Sequence, residues 1–297
     1  MAQEAPADLL EQARGGSRRA LARLLTAVED GAVSLADLSP SPPTGASLAI
    51  TGPPGVGKSC LIDHLLRAWA KAGRRTALLA VDPSSSLSGG ALLGDRIRLT
   101  APDEEGLSAN IYVRSVATRR STGSVPTVLG DLVATLHLTG WDHVLIETVG
   151  AGQSEVRCAA VADRIVLVEG PARGDAVQAE KAGLLEIADL VLVNKADLDG
   201  AERHAAELRD ALALDAGTPP EVRLVSAHTG QGMEEALAML ANLPERPGSG
   251  RARARERLAN AVERHLTGHE DYETMLTELA SGRTTPEEAM EVLWRGR

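Results

Sequence analysis

Seven short apolar runs, 46–51, 75–81, 110–114, 143–147, 164–169, 189–193 and 222–225, divide the middle of this chain. Runs of this length, rich in Leu, Val, Ile and Ala, predict strands buried on both faces. Between them apolar residues return at helical spacing, as at Leu61, Ile62, Leu65, Leu66 and Trp69. Alternating strands and helices predict an α/β fold: a mostly parallel sheet covered by helices on both faces, with its functional loops at the strand carboxyl ends. Outside this region the period is helical. Residues 5–30 carry Leu21, Leu24, Leu25 and Val28 on one stripe, with Arg14, Arg18, Arg19 and Arg23 largely off it. Linker composition at Ser39–Gly45 and Glu245–Gly250 divides the chain into an N-terminal helical arm (1–44), a central domain (45–244) and a C-terminal helical arm (245–297). The last helix is announced at Thr285-Pro286-Glu287-Glu288, a capping-box pattern with Pro at the first helical position.

Composition narrows the class. Hydrophobic content of 43% supports a sizeable core, but with no Phe and 2% aromatics the core must be aliphatic. A net charge of −10 weighs against nucleic acid or an anionic membrane as the main partner. Cys60 and Cys158 stand far apart, which indicates neither a disulfide framework nor a thiolate metal site. No run is long and apolar enough to span a bilayer and no signal-peptide pattern is present, so a cytoplasmic location is expected. The run Arg251-Ala-Arg-Ala-Arg255-Glu-Arg257 reads as a solvated helix start.

Lysine usage points at chemistry. Only four lysines occur among 31 basic residues, and two of them sit in nucleotide-type motifs. Gly52-Pro53-Pro54-Gly55-Val56-Gly57-Lys58-Ser59-Cys60 contains the P-loop pattern, whose glycines let backbone N–H groups wrap a phosphate. It lies between a predicted strand and a predicted helix, whose N-terminal dipole favours an anion. This makes the expected fold a P-loop NTPase, with Lys58 on the β- and γ-phosphates and Ser59 on Mg²⁺. The second lysine lies in Asn194-Lys195-Ala196-Asp197, after an apolar strand. A carboxylate at Asp197 can accept from both the ring N–H and the exocyclic amine of guanine, bonds that adenine cannot supply together. Asn194 would brace the loop and the Lys195 stem would cover the base. Ser226-Ala227 would bring a backbone N–H to the guanine carbonyl. GTP and GDP are the ligands implied.

Three acids are candidates for the metal and switch machinery: Asp82 and Glu147 at strand ends, and Asp95 in a glycine-rich segment. A carboxylate ending a buried strand near a P-loop is how such folds hold Mg²⁺ and its waters. Gly150 lets a backbone N–H approach the γ-phosphate. Gln153 either positions the attacking water or braces the loop.

Asp82-Pro-Ser-Ser, Gly89-Gly-x-x-x-Gly-Asp95, Glu147-Thr-Val-Gly-x-Gly-Gln-Ser-Glu155 and Asn194-Lys-Ala-Asp197, in this order, resemble the MeaB/ArgK family of P-loop GTPases associated with methylmalonyl-CoA mutase. The resemblance implies a Mg²⁺-dependent GTPase chaperone that gates cofactor loading onto, and protects, an adenosylcobalamin-dependent acyl-CoA mutase. It further implies a homodimer through the C-terminal arm, and a partner-sensing loop carrying Asp175, Gln178 and Lys181. The chain departs from the family in two places. Arg119-Arg120-Ser-Thr-Gly-Ser-Val-Pro126-Thr replaces a glycine-rich stretch, and Glu180 stands where an apolar residue is usual. The alternative reading is a P-loop kinase, with Arg119 and Arg120 closing over the phosphates. Guanine selectivity argues against it.

Overall fold

The seven runs become seven strands because each offers aliphatic side chains to both sheet faces. The structure, a computed structural model, describes residues 4–39, 45–82, 99–117, 129–148, 153–171, 178–213 and 217–295. Its strands are β1 (Ala46–Thr51), β2 (Thr76–Asp82), β3 (Ile111–Ala117), β4 (His143–Thr148), β5 (Arg164–Glu169), β6 (Leu190–Val193) and β7 (Glu221–Leu224). They form one sheet in the order β3-β2-β4-β1-β5-β6-β7, and every neighbouring pair is parallel. Strand β1 is central, pairing Ala49 with Ile146 of β4 and Ile50 with Val166 of β5. All functional loops therefore emerge at one end of the sheet.

Alternation along each strand feeds two cores. Leu48, Ile50, Leu78, Leu145, Val166 and Val168 face α4 (Lys58–Lys71) and α9 (Met233–Ala241). Ala49, Leu79, Ile146, Ile165 and Leu167 face the opposite side. That side is covered by α1 (Pro6–Arg14), α2 (Arg18–Glu29), α5 (Leu129–Leu138), α6 (Gln153–Ala159), α7 (Gln178–Ile187) and α8 (Ala201–Leu212). A short helix, α3 (Leu35–Leu38), precedes β1. The N-terminal stripe is thus covered within the chain: Leu21, Leu24, Leu25 and Val28 belong to the same core as the sheet. Each such side chain stabilises the fold by about 1.5–3 kcal/mol relative to exposure. Ser17 caps α2 by accepting from Ala20 N–H, and Arg114 of β3 reaches across to Glu29 at 2.5 Å.

The C-terminal arm has α10 (Ser249–Thr267), α11 (Tyr272–Ala280) and α12 (Pro286–Arg295). The capping box forms as the sequence predicts: Glu288 N–H donates to Thr285 Oγ1 at 3.2 Å, and Thr285 N–H to Glu288 Oε2 at 3.0 Å. The start of α10 bears out the solvated reading at Arg251 and Arg255 and corrects it at Arg253 and Arg257. Arg253 is buried and donates to Asp189 Oδ2 at 2.8 Å. Arg257 donates to the carbonyls of Ala160, Val161 and Ala162, just beyond the end of α6. These carbonyls and the Asp189 carboxylate lie on the central domain, so they outcompete water for the guanidiniums. Further along, Leu258, Leu276, Met290, Val292 and Trp294 are exposed. Trp294 meets the His265 ring edge-on at 4.8 Å. Among the described residues no helix is long and apolar enough to cross a membrane.

Candidate functional site

The loop between β1 and α4 needs glycine for two different reasons. Gly52 has φ +139°, and a Cβ there would lie 2.1 Å from the Val168 carbonyl, so glycine lets β5 run close beside the loop. Gly57, with φ +98°, precedes the first turn of α4, and a Cβ there would lie 2.3 Å from Asn194 Nδ2. Lys58 is buried and its ammonium donates to the carbonyls of Gly52 and Pro53 at 2.8 and 2.9 Å. The charge is thereby folded over the loop at a helix N-terminus, an arrangement suited to an anion.

Two oxygens meet beside it. Ser59 Oγ donates to Glu147 Oε1 at 2.8 Å, and Glu147, at the end of β4, is buried. A hydroxyl and a carboxylate are hard donors of the kind Mg²⁺ takes, and substrate phosphates and water complete such a shell. No cluster of three or more His, Cys, Asp or Glu that could hold a metal occurs among the described residues. Asp82 closes β2, its backbone in register with Ala117; its side chain lies outside the described residues, as do Asp95, Gly150 and Asp175 entirely. Gln153 opens α6, and Gln178 and Lys181 lie in the first turn of α7; their side chains too lie outside the described residues.

The loops expected to meet the base converge on the same place. Asn194, at the end of β6, donates from Nδ2 to Val56 O at 2.8 Å and accepts at Oδ1 from Ala227 N–H at 3.0 Å. One amide therefore joins the P-loop to both base loops. Lys195 has φ +63°, the one positive value outside glycine among the described residues, and its ammonium donates to Gly55 O at 2.8 Å. Asp197 Oδ1 accepts from the Ser226 hydroxyl, and this bond holds the carboxyl below the usual carboxylate range. Ser226 Oγ in turn accepts from Thr229 N–H at 3.1 Å. The result is an ionised carboxylate on a braced loop next to a phosphate-type loop, as a purine nucleotide requires.

Two contributors carry no motif. His64 of α4 contacts the Ala227 carbonyl through Nε2 at 2.9 Å. Asp63 of the same helix accepts from Thr100 N–H, Ala101 N–H and the Thr100 hydroxyl at 2.7–2.9 Å, and pairs with Arg67 at 3.0 Å. In sequence both are single polar residues on an amphipathic helix, and only the loops they meet give them meaning.

The comparisons agree with this geometry. Residues 21–277 match the family described as "Methylmalonyl Co-A mutase-associated GTPase MeaB". A protein of Pyrococcus horikoshii named "Putative GTPase" is 41% identical over 239 residues, covering 77% of this chain and 74% of its own. "Fused isobutyryl-CoA mutase" of Cupriavidus metallidurans is 38% identical over 201 residues, which are 65% of this chain but 18% of that protein. The crystal structure of "LAO/AO transport system kinase" superposes with a TM-score of 0.61 over 99% of this chain and 98% of that one. At 24% identity this likeness shows the P-loop NTPase fold alone. With the P-loop, the Asn194–Asp197 loop and the family match in agreement, the chain belongs to the MeaB family of mutase-associated GTPases.

Proposed function

We propose that this GTPase is a Mg²⁺-dependent switch that gates cofactor loading onto, and protects, an adenosylcobalamin-dependent acyl-CoA mutase. The observation that carries the nucleotide half is the Asn194 amide, which binds the P-loop through Nδ2 and the Ala227 loop through Oδ1. The mutase half rests on family membership and on the fused mutase, where a related segment shares a chain with an acyl-CoA mutase by name.

In this reading Gly52 to Cys60 wrap the phosphates, Asp197 reads the guanine edge, and the Ala227 N–H meets the guanine carbonyl once released from Asn194. Ser59 and Glu147, with Asp82 and Asp95, would hold Mg²⁺, which when bound would neutralise charge developing on the phosphates. Lys58 turns its ammonium from its own loop carbonyls onto the β/γ oxygens. Water bonds to the γ-phosphorus as the bond to the β–γ bridging oxygen breaks, giving GDP and phosphate, and Gln153 orients that water. Gly150 and the segment with Asp175, Gln178 and Lys181 carry the nucleotide state to the mutase. Residues 245–297 are a dimerisation arm, supported by the exposed apolar side chains of α10 to α12.

Titration of the purified chain with GTP and ATP tests the base reading, and equal affinities would reject it. Steady-state hydrolysis with and without a cobalamin-dependent acyl-CoA mutase tests the switch. A cognate mutase should change the rate through a difference in affinity between the nucleotide states, and an unchanged rate with every such mutase rejects the chaperone role. Light scattering of the full chain should give twice the monomer mass.

A further inference from the structure

We propose that His64 is a positioning residue for guanine recognition, tying the base-reading loop to the helix that begins at the phosphates. The proposal rests on the guanine reading above. His64 lies on α4, six positions after Lys58, where the neighbouring inward positions Leu61, Ile62, Leu65 and Leu66 are all apolar and fully buried. A half-buried imidazole flanks this aliphatic face, and its Nε2 stands 2.9 Å from the Ala227 carbonyl. A carbonyl only accepts, so Nε2 is the donor and carries a proton.

The peptide groups that flank Ala227 are thereby held from two directions. Its N–H donates to Asn194 of the β6 loop, and its C=O accepts from His64 of the P-loop helix. Ser226, one residue earlier, is fixed by its own bonds: its N–H donates to Gln231 O at 2.8 Å, and its carbonyl accepts from Gly230 N–H at 2.8 Å. When a guanine carbonyl takes the Ala227 N–H from Asn194, the His64 bond remains and keeps that N–H aimed at the base. The spacing between base subsite and phosphate subsite is then set by α4 itself, since one helix carries Lys58, Ser59 and His64. A nucleotide spanning both subsites senses that spacing, whereas pyrophosphate occupies only one.

This predicts a selective loss. In the full-length chain, His64→Ala should weaken Mg·GDP about fivefold to tenfold, the scale of one net hydrogen bond, and leave Mg·pyrophosphate unchanged by calorimetry. His64→Leu, which fills the space without a donor, should behave like His64→Ala and guards against a cavity effect. His64→Gln places an amide donor at similar reach and should restore most of the GDP affinity. Undiminished GDP binding in both donor-less variants, a parallel loss of pyrophosphate, or no rescue by Gln overturns the role. Wild-type chain titrated with GDP and ADP separates the two levels: equal affinities there reject the guanine reading itself, whatever His64 does.

Discussion

Replacing Arg253 by Met should loosen the C-terminal arm from the central domain at a cost the structure allows to be worked out. The Asp189 carboxylate, with a fully buried side chain, accepts from Arg253 at 2.8 Å, from Ile165 N–H and Arg246 N–H at 2.9 Å, and from Ser249 Oγ at 2.6 Å. Removing one partner of a buried ion pair costs about 3–5 kcal/mol, because the other charge is left uncompensated. Here three donors remain on the carboxylate, so the low end, about 3 kcal/mol, is expected. The second ion pair of Arg253, with half-exposed Glu245, adds little. For a chain of this size that loss lowers the melting temperature by about 6 °C. Urea unfolding of the nucleotide-free chain followed by circular dichroism, with calorimetry for the melting temperature, measures both. Arg253→Lys keeps the charge and should cost about 1 kcal/mol or less by the same reasoning. A loss below about 1 kcal/mol in Arg253→Met, or an equal loss in both variants, would refute the ion-pair argument.

Gly57→Ala adds left-handed strain of about 1–2 kcal/mol that lowers the stability of the free chain as well, and it displaces the Asn194 amide, worth about 1 kcal/mol to the loops it joins, so GDP affinity should fall about fivefold; an unchanged affinity in filter binding contradicts this. The Ser226 hydroxyl lowers the Asp197 pKa, so the carboxylate proposed to read the base stays charged to lower pH than an ordinary carboxylate. GDP affinity should therefore be flat down to about pH 5, its acid limb should move to higher pH in Ser226→Ala, and a limb that stays put sinks the assignment. Asp197→Asn should weaken GTP and favour xanthosine triphosphate, whose carbonyl replaces the exocyclic amine; calorimetry showing no gain for that base removes Asp197 from the base edge. Burial, with Glu155 nearby, pushes the Cys158 thiol up to about 12, whereas Cys60 is exposed. A thiol reagent should then titrate one cysteine in the native chain and two in denaturant, and two reactive native thiols would be the failing result.

The strands were legible because a parallel sheet covered on both faces leaves continuous aliphatic runs, whatever the order of its strands. All seven fall where those runs lie, but their ends extend into polar residues. Strand β3 continues through Arg114 and Ser115 because Arg114 is satisfied by Glu29 of α2, a partner 85 residues away. The P-loop was legible because phosphate wrapping and positive φ demand glycine at fixed spacing, and the Asn194–Asp197 loop because guanine demands a carboxylate just after an apolar strand. What covers the N-terminal stripe was not, since a stripe says only that it must be covered. The burial of Arg253 was hidden for a similar reason: its partner Asp189 lies 64 residues earlier and reads only as the polar first residue of an apolar run. His64 and Asp63 carry no periodic signal that separates them from solvated positions on the same helix.

The aliphatic core has an optical consequence. With no Phe, two Tyr and three Trp, nearly all the intrinsic fluorescence of the chain comes from Trp69, Trp141 and Trp294. The first two are buried at 6% and 3% exposure, out of contact with bulk water, while Trp294 is 56% exposed on the last helix. The red edge of the emission is therefore a private signal from the C-terminal arm. A partner that covers this arm, a second copy or a mutase, removes water from one indole and shifts that edge to the blue. Assembly can be followed in the unlabelled protein, separately from events at the nucleotide.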